Sequence, residues 1–117
     1  MKVLITESKR DHIVIKWLNN NYGDLAPYET DKFPDYIFYM KNGEVIFQYN
    51  KEAGVAHISY DKIWSFLESF FGLKYEEIED LTKQWVERYY ESDVTTTSNH
   101  RIFNPSEVEK HYKLDNL

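Results

Sequence analysis

The sequence predicts a single α+β domain: a three-stranded antiparallel meander packed by helices in the order α-β-β-β-α-α, followed by a short C-terminal helix. Three observations carry this expectation. Apolar residues recur at helical spacing on both sides of residues 36–60. Within 36–60, apolar runs flank Asn42-Gly43, the dipeptide suited to a type I′ hairpin turn because both central residues take positive φ. A chain of 117 residues suffices for one core, whereas two cores would each be too small.

Val3-Leu4-Ile5-Thr6 reads as a short strand or extended lead-in. Thr6 is the expected N-cap, with Glu7 in the first turn where the helix dipole favours a carboxylate. Ile13, Val14, Trp17 and Leu18 then form one apolar stripe, and the helix fades in Asn19-Asn20-Asn21 before Gly23. Residues 24–35 hold prolines and acids without a period and are expected to form a loop.

Tyr36 to Met40 reads as a strand, Lys41 to Glu44 as its turn, and Val45 to Tyr49 as the return strand. Lys51-Glu52-Ala53-Gly54 makes a second turn before a third strand, Val55 to Tyr60. Strict alternation places Ile46 on the face opposite Val45, Phe47 and Tyr49. Asp61 is the expected cap of a helix carrying Ile63, Trp64, Phe66, Leu67, Phe70 and Phe71, which Gly72 stops. A second helix over Tyr75 to Tyr90 sets Ile78, Leu81, Trp85 and Tyr89 on one stripe. Both are expected to cover one face of the sheet.

The domain is expected to span residues 1–91, with 92–117 forming a linker and a short helix. Ser92 to Asn99 is rich in Thr and Ser and reads as that linker. Asn104-Pro105-Ser106-Glu107 has a cap, a proline at the first helical position and a glutamate three residues after the cap. Val108, His111 and Tyr112 give this helix one apolar side, a docking stripe for its own domain, a second copy or another protein's groove.

Composition narrows the function. Hydrophobic residues at 42% and charged residues at 29% fit a globular chain and exclude wholesale disorder. The absence of cysteine excludes disulfides, a thiol nucleophile and thiolate metal sites, and suits a reducing compartment. No apolar run is long enough for a membrane span, and the apolar stretch near Met1 is too short for a signal peptide, so a cytoplasmic location without membrane contact is expected. Ten Tyr, seven Phe and three Trp serve cores and interfaces alike.

The net charge of −6 is uneven: residues 1–20 carry +2, residues 21–60 carry −3, residues 61–93 carry −5, and the remainder is neutral. Nucleic-acid binding needs a basic footprint, and only the first segment offers a small one. The two helices meeting at Gly72 resemble a helix-turn-helix in spacing. A recognition helix bearing Glu76, Glu77, Glu79, Asp80, Glu87 and Glu91 would nevertheless be repelled by phosphates. Nucleic acid is therefore not an expected partner.

Catalytic signals are sparse. Pro34-Asp35 opening a hairpin that leads to Lys51 is reminiscent of a metal-dependent nuclease arrangement, but no acid stands two positions before the lysine. A hydrolase using Asp35 with Glu44 or His57 is the alternative function. Glu107 and His111 lie four apart, which more readily gives a side-chain hydrogen bond than a metal site. Neither a glycine-rich phosphate loop nor a nucleophile elbow is present. No catalytic residue, metal or cofactor is assigned.

The carboxylates of the second long helix suit docking to a basic protein surface, mimicry of DNA charge, or simple solvation. Glu76, Glu77, Asp80 and Glu87 are the expected binding residues, joined by Val108 and Tyr112 of the tail helix. The reading requires those carboxylates to face water rather than the protein's own cations.

The opening Met1-Lys2-Val3-Leu4-Ile5-Thr6-Glu7-Ser8, leading into a helix, resembles small proteins encoded by tailed bacteriophages. The likeness covers about the first 20 residues and, more loosely, the order of elements. These proteins share no agreed activity, so the resemblance implies no residue roles. It implies a phage or mobile-element origin, action in the host cytoplasm, and an accessory or inhibitory protein-binding role. A structural virion component, bridged between copies by the tail helix, is the further alternative and would make the chain a homo-oligomer.

Overall fold

In the computed structural model, residues 7–90, 93–100 and 102 are described. In chain order these form α1 (Glu7–Tyr22), β1 (Ala26–Tyr28), β2 (Tyr36–Lys41), β3 (Glu44–Asn50), β4 (Val55–Ile58), a π-helical turn (Tyr60–Trp64), α2 (Ser65–Ser69), α3 (Tyr75–Tyr90) and β5 (Thr96–Ser98). The class is α+β, as the residue pattern implies, but the sheet has five strands in the order β1-β2-β3-β4-β5. Every neighbouring pair is antiparallel except β4 and β5, which run parallel. A parallel pair needs a long crossover, and the helices between Ile58 and Thr96 supply it.

The expected meander is the middle of this sheet. Asn42 at φ 52° and Gly43 at φ 79° make the turn between β2 and β3, both in the left-handed region that a type I′ turn uses. Strict alternation fails along β3. Tyr39 pairs with Phe47 and Met40 with Val45, so Ile46 is the extra residue of a bulge. Ile46 consequently joins Phe47 and Tyr49 in the core instead of facing away from them.

Two strands lie where loops are expected. β1 is the short edge strand Ala26-Pro27-Tyr28, and its proline is tolerated because an edge leaves one side of the backbone unpaired. β5 corrects the linker expectation: Thr96, Thr97 and Ser98 pair with Val55, Ala56 and His57. Their polarity conceals a strand in which Thr97 and Ser98 are buried. The third strand also ends earlier than expected, at Ile58. Ser59, not Asp61, caps the π-helical turn, its hydroxyl accepting from the Lys62 N–H at 3.2 Å.

The helices cover one sheet face. Val14 and Leu18 of α1, Ile63 and Trp64 of the π-helical turn, Leu67 of α2, and Ile78, Leu81, Trp85 and Val86 of α3 are buried there with Tyr39, Phe47, Tyr49 and Ile58. Phe47 meets the Trp85 ring edge-on at 5.6 Å and stacks on Tyr39 at 4.3 Å. Burying each such aromatic side chain is worth roughly 1.5–3 kcal/mol. On α3 the buried stripe turns one residue from the expected one, so Tyr89 faces out while Tyr90 packs against Tyr39, Phe47 and Trp85.

The opposite sheet face is covered differently. Phe38 is fully buried, stacked on Tyr36 at 6.0 Å and met edge-on by Phe33 at 6.1 Å, so residues before β2 fold over this side. Among the described residues no helix is long and apolar enough to cross a membrane. The lead-in strand Val3–Thr6 with its cap, and the helix expected from Asn104 with Val108, His111 and Tyr112, lie outside the described residues.

Candidate functional site

Of the expected binding acids, those on α3 do not form one uniform face. Glu76, Asp80 and Glu87 are exposed. Positions 76, 80, 83 and 87 follow one helical stripe, so these acids share a side of the helix. Glu77 points elsewhere, gripped by Arg10 of α1 at 2.6 Å. It also accepts the Lys74 N–H at 3.0 Å, an N-terminal capping interaction. That amide holds the Glu77 carboxyl below the usual range; burial opposes it, and Arg10 adds to the lowering. Glu77 is thus spent on joining α1 to α3.

Glu87 lies 3.8 Å from Lys83, a loose one-turn pair, and Asp80 accepts the Gln84 amide at 2.9 Å. Glu76 has no ion-pair partner among the described residues. The outward acidity of α3 therefore rests chiefly on Glu76 and Asp80, with Glu87 partly offset.

Immediately before α3 stands a feature that helical periodicity hides. Trp17 stacks on Phe66 at 4.4 Å and 9°, and Phe66 stacks on Phe70 at 4.9 Å and 12°. Phe71 meets Trp17, Phe66 and Phe70 edge-on. The last ring of this ladder, Phe70, is 70% exposed. Five residues on, Tyr75 is 44% exposed and leans on buried Trp64 at 5.0 Å. Gly72, at φ +64° with open space around it, turns the chain between them. Phe70 reads as core in the sequence because it falls on the α2 stripe. The helix closes at Ser69, however, and Phe70 is left pointing to water while Phe71 after it packs against the core.

The alternative hydrolase residues are not brought together. Asp35 adjoins the Tyr36–Asn50 end of the hairpin, and Glu44 pairs with Lys41 at the other end. That separation is five residues of strand, about 16 Å at 3.3 Å per residue. Glu44 is already bound to Lys62 at 2.9 Å. The Asp35 carbonyl accepts the Lys51 N–H at 2.7 Å, which closes the hairpin base. His57 sits across β3 from β2, paired with Gln48, which in turn pairs with Phe38. Among the described residues no group of three or more His, Cys, Asp or Glu is placed to hold a metal ion.

His57 instead belongs to the β4–β5 seam. Its Nδ1 lies 2.7 Å from the Ser98 hydroxyl, and its ring stacks on His100 at 6.0 Å. Burial, and then the nearby charge of His100, lower its pKa. The neutral ring so favoured suits a hydrogen bond that locks β5 to β4.

No protein-family model, curated protein or solved structure matches this chain.

Proposed function

We propose that the chain is a non-enzymatic protein-binding protein of accessory or inhibitory type, docking through the corner between α2 and α3. One observation carries the reading: Phe70 presents a 70% exposed ring at the end of a stack of rings. A large apolar side chain left mostly in water gains little for the isolated fold beyond its ring contacts with Phe66 and Phe71, whereas it is the kind of anchor that a partner's pocket desolvates. Tyr75 at the start of α3 is a second exposed ring, and Glu76 and Asp80 are exposed along the same helix. Such carboxylates favour a partner with a basic rim and speed its approach. The phage-like opening residues support an inhibitory role in a host cytoplasm, by analogy.

The test compares capture from lysates of the native host cells by the wild type, by Phe70→Ser and by Glu76→Lys with Asp80→Lys. A discrete partner should be retained by the wild type and lost by Phe70→Ser. The charge variant should weaken capture more at low salt than at high salt. Exposed substitutions should leave stability within about 0.5 kcal/mol, so unfolding curves separate lost binding from lost fold. Equal capture of the same protein by all three chains would refute the reading. Sedimentation of the wild type alone would expose a homo-oligomer, whose interface would then be the Phe70 corner.

A further inference from the structure

A second surface lies between α1 and α3. There a groove of about 480 Å³ is lined by His12, Lys16 and Asn19 of α1 and by Gln84, Arg88 and Tyr89 of α3. We infer that this groove binds a small organic oxyanion, a phosphate or carboxylate, whose apolar or ring portion rests on Ile15 and Tyr89.

The charge pattern is the starting point. The protein carries −6 overall, so cations without carboxylate partners are out of keeping with its surface. The ion pairs formed by Lys41, Lys51, Lys62 and Lys83 each consume a cation. Lys16 and Arg88 have no ion pair among the described residues, and both line this one groove. They come from different helices, so their convergence is set by the packing of α1 on α3, not by a run of basic sequence.

The other lining groups suit the same ligand. Positions 12, 16 and 19 follow one stripe of α1, and positions 84 and 88 are one turn apart on α3. Asn19 brings an amide, and His12 an imidazole ring with nitrogen donors. Gln84 gives its amide to Asp80 and so borders the site without being free to serve it fully. The one carboxylate on the lining, Asp11, is 3.3 Å from Arg10, which offsets its repulsion. Arg88 lies 5.9 Å from the Tyr89 ring centroid, and Tyr89 is 40% exposed. A guanidinium beside an open aromatic face pairs an anion-binding group with a stacking surface. The volume falls within the range of pockets that hold small ligands.

The experiment is a titration of isotope-labelled full-length protein with sodium phosphate, sodium pyrophosphate and sodium citrate, against sodium chloride at matched ionic strength. Amide shifts should saturate and cluster in residues 11–19 and 84–89. Pyrophosphate shifts stronger than those from citrate would assign a phosphate ligand, and the reverse order a carboxylate. Lys16→Gln combined with Arg88→Gln should raise the dissociation constant at least tenfold with the melting temperature unchanged. Lys16→Gln alone, at an exposed position, should raise it about threefold and carries the test if the double variant is unstable. Shifts that stay linear, scatter over the surface, or persist unchanged in these variants would overturn the inference.

Discussion

Arg10 of α1 and Glu77 of α3 meet at 2.6 Å, and this pair ties the two helices together. Burial opposes the Arg10 charge, yet hydrogen bonding and charge from Glu77, and then Asp11, raise its pKa above the ordinary value. Glu77 is lowered, by the Lys74 amide first and by Arg10 as well. A carboxylate with a depressed folded pKa contributes stability that is present above its unfolded value, about 4.3, and lost as pH falls. Glu77→Gln should therefore lower stability at neutral pH and flatten its decline between about pH 5 and 3. Urea unfolding across that range reads both effects. A variant with the wild-type pH slope would show that other carboxylates dominate.

Thr82 and Thr97 share a buried hydroxyl contact at 2.7 Å, which joins α3 to β5. One hydroxyl donates to the other, and the second donates to a backbone carbonyl: Thr82 to that of Ile78 at 2.7 Å, or Thr97 to that of Glu79 at 2.8 Å. Thr82→Val keeps the shape but removes a partner from a buried network, at a cost of about 1–2 kcal/mol. Hydrogen exchange at residues 96–98 should accelerate. The Thr82→Val, Thr97→Val double variant should cost less than the two single changes added, since neither hydroxyl is then left unpaired. Strict additivity would deny the coupling.

This network also marks the reach of the sequence. The β2–β3 hairpin is legible there because Asn42-Gly43 satisfies a local backbone demand. The helices are legible because their buried residues recur with the helical period. β5 is not, since the burial of polar Thr97 and Ser98 comes from tertiary packing, Thr97 meeting Thr82 from 15 residues away in the chain. The Ile46 bulge is equally hidden, being a property of two strands in register. Among the candidate sites, the exposed acids Glu76 and Asp80 emerge from spacing alone. That Arg10 engages Glu77, or that Phe70 points outward, depends on tertiary packing.

Gly54 and Gly72 both have positive φ but different surroundings. A Cβ at Gly54 would come within 2.7 Å of Thr95 Oγ1, where the Gly54 carbonyl also accepts the Thr95 N–H at 2.7 Å. A Cβ at Gly72 would meet nothing within 4 Å. Gly72→Ala should cost about 1–2 kcal/mol from backbone strain alone. Gly54→Ala should cost about 1 kcal/mol more than Gly72→Ala, because Thr95 must also move. Only the Gly54 change should speed hydrogen exchange in Thr96–Ser98. Denaturant unfolding with exchange on both variants distinguishes them, and equal costs would mean that Thr95 yields freely.

His57 and His100 give the same edge strand a response to acid. Burial first, and the His100 charge second, lower the His57 pKa, while its other close neighbours here, Ser98 and Gln48, carry no charge. The unfolded value is near 6.5, so the folded protein resists a proton that the unfolded chain accepts. Stability from this group is therefore complete above about pH 6.5 and falls as pH drops below it. Protonation of His57 also sets its charged ring 6.0 Å from the His100 ring. Hydrogen exchange at Thr96–Ser98 should accelerate between about pH 7 and 5.5, after correction for the intrinsic pH dependence of exchange, before the helical core loosens. His57→Gln keeps a side chain able to bond Ser98 but removes the titration, and should flatten that response. Persistence of the full acid response in His57→Gln would assign it to some group other than His57.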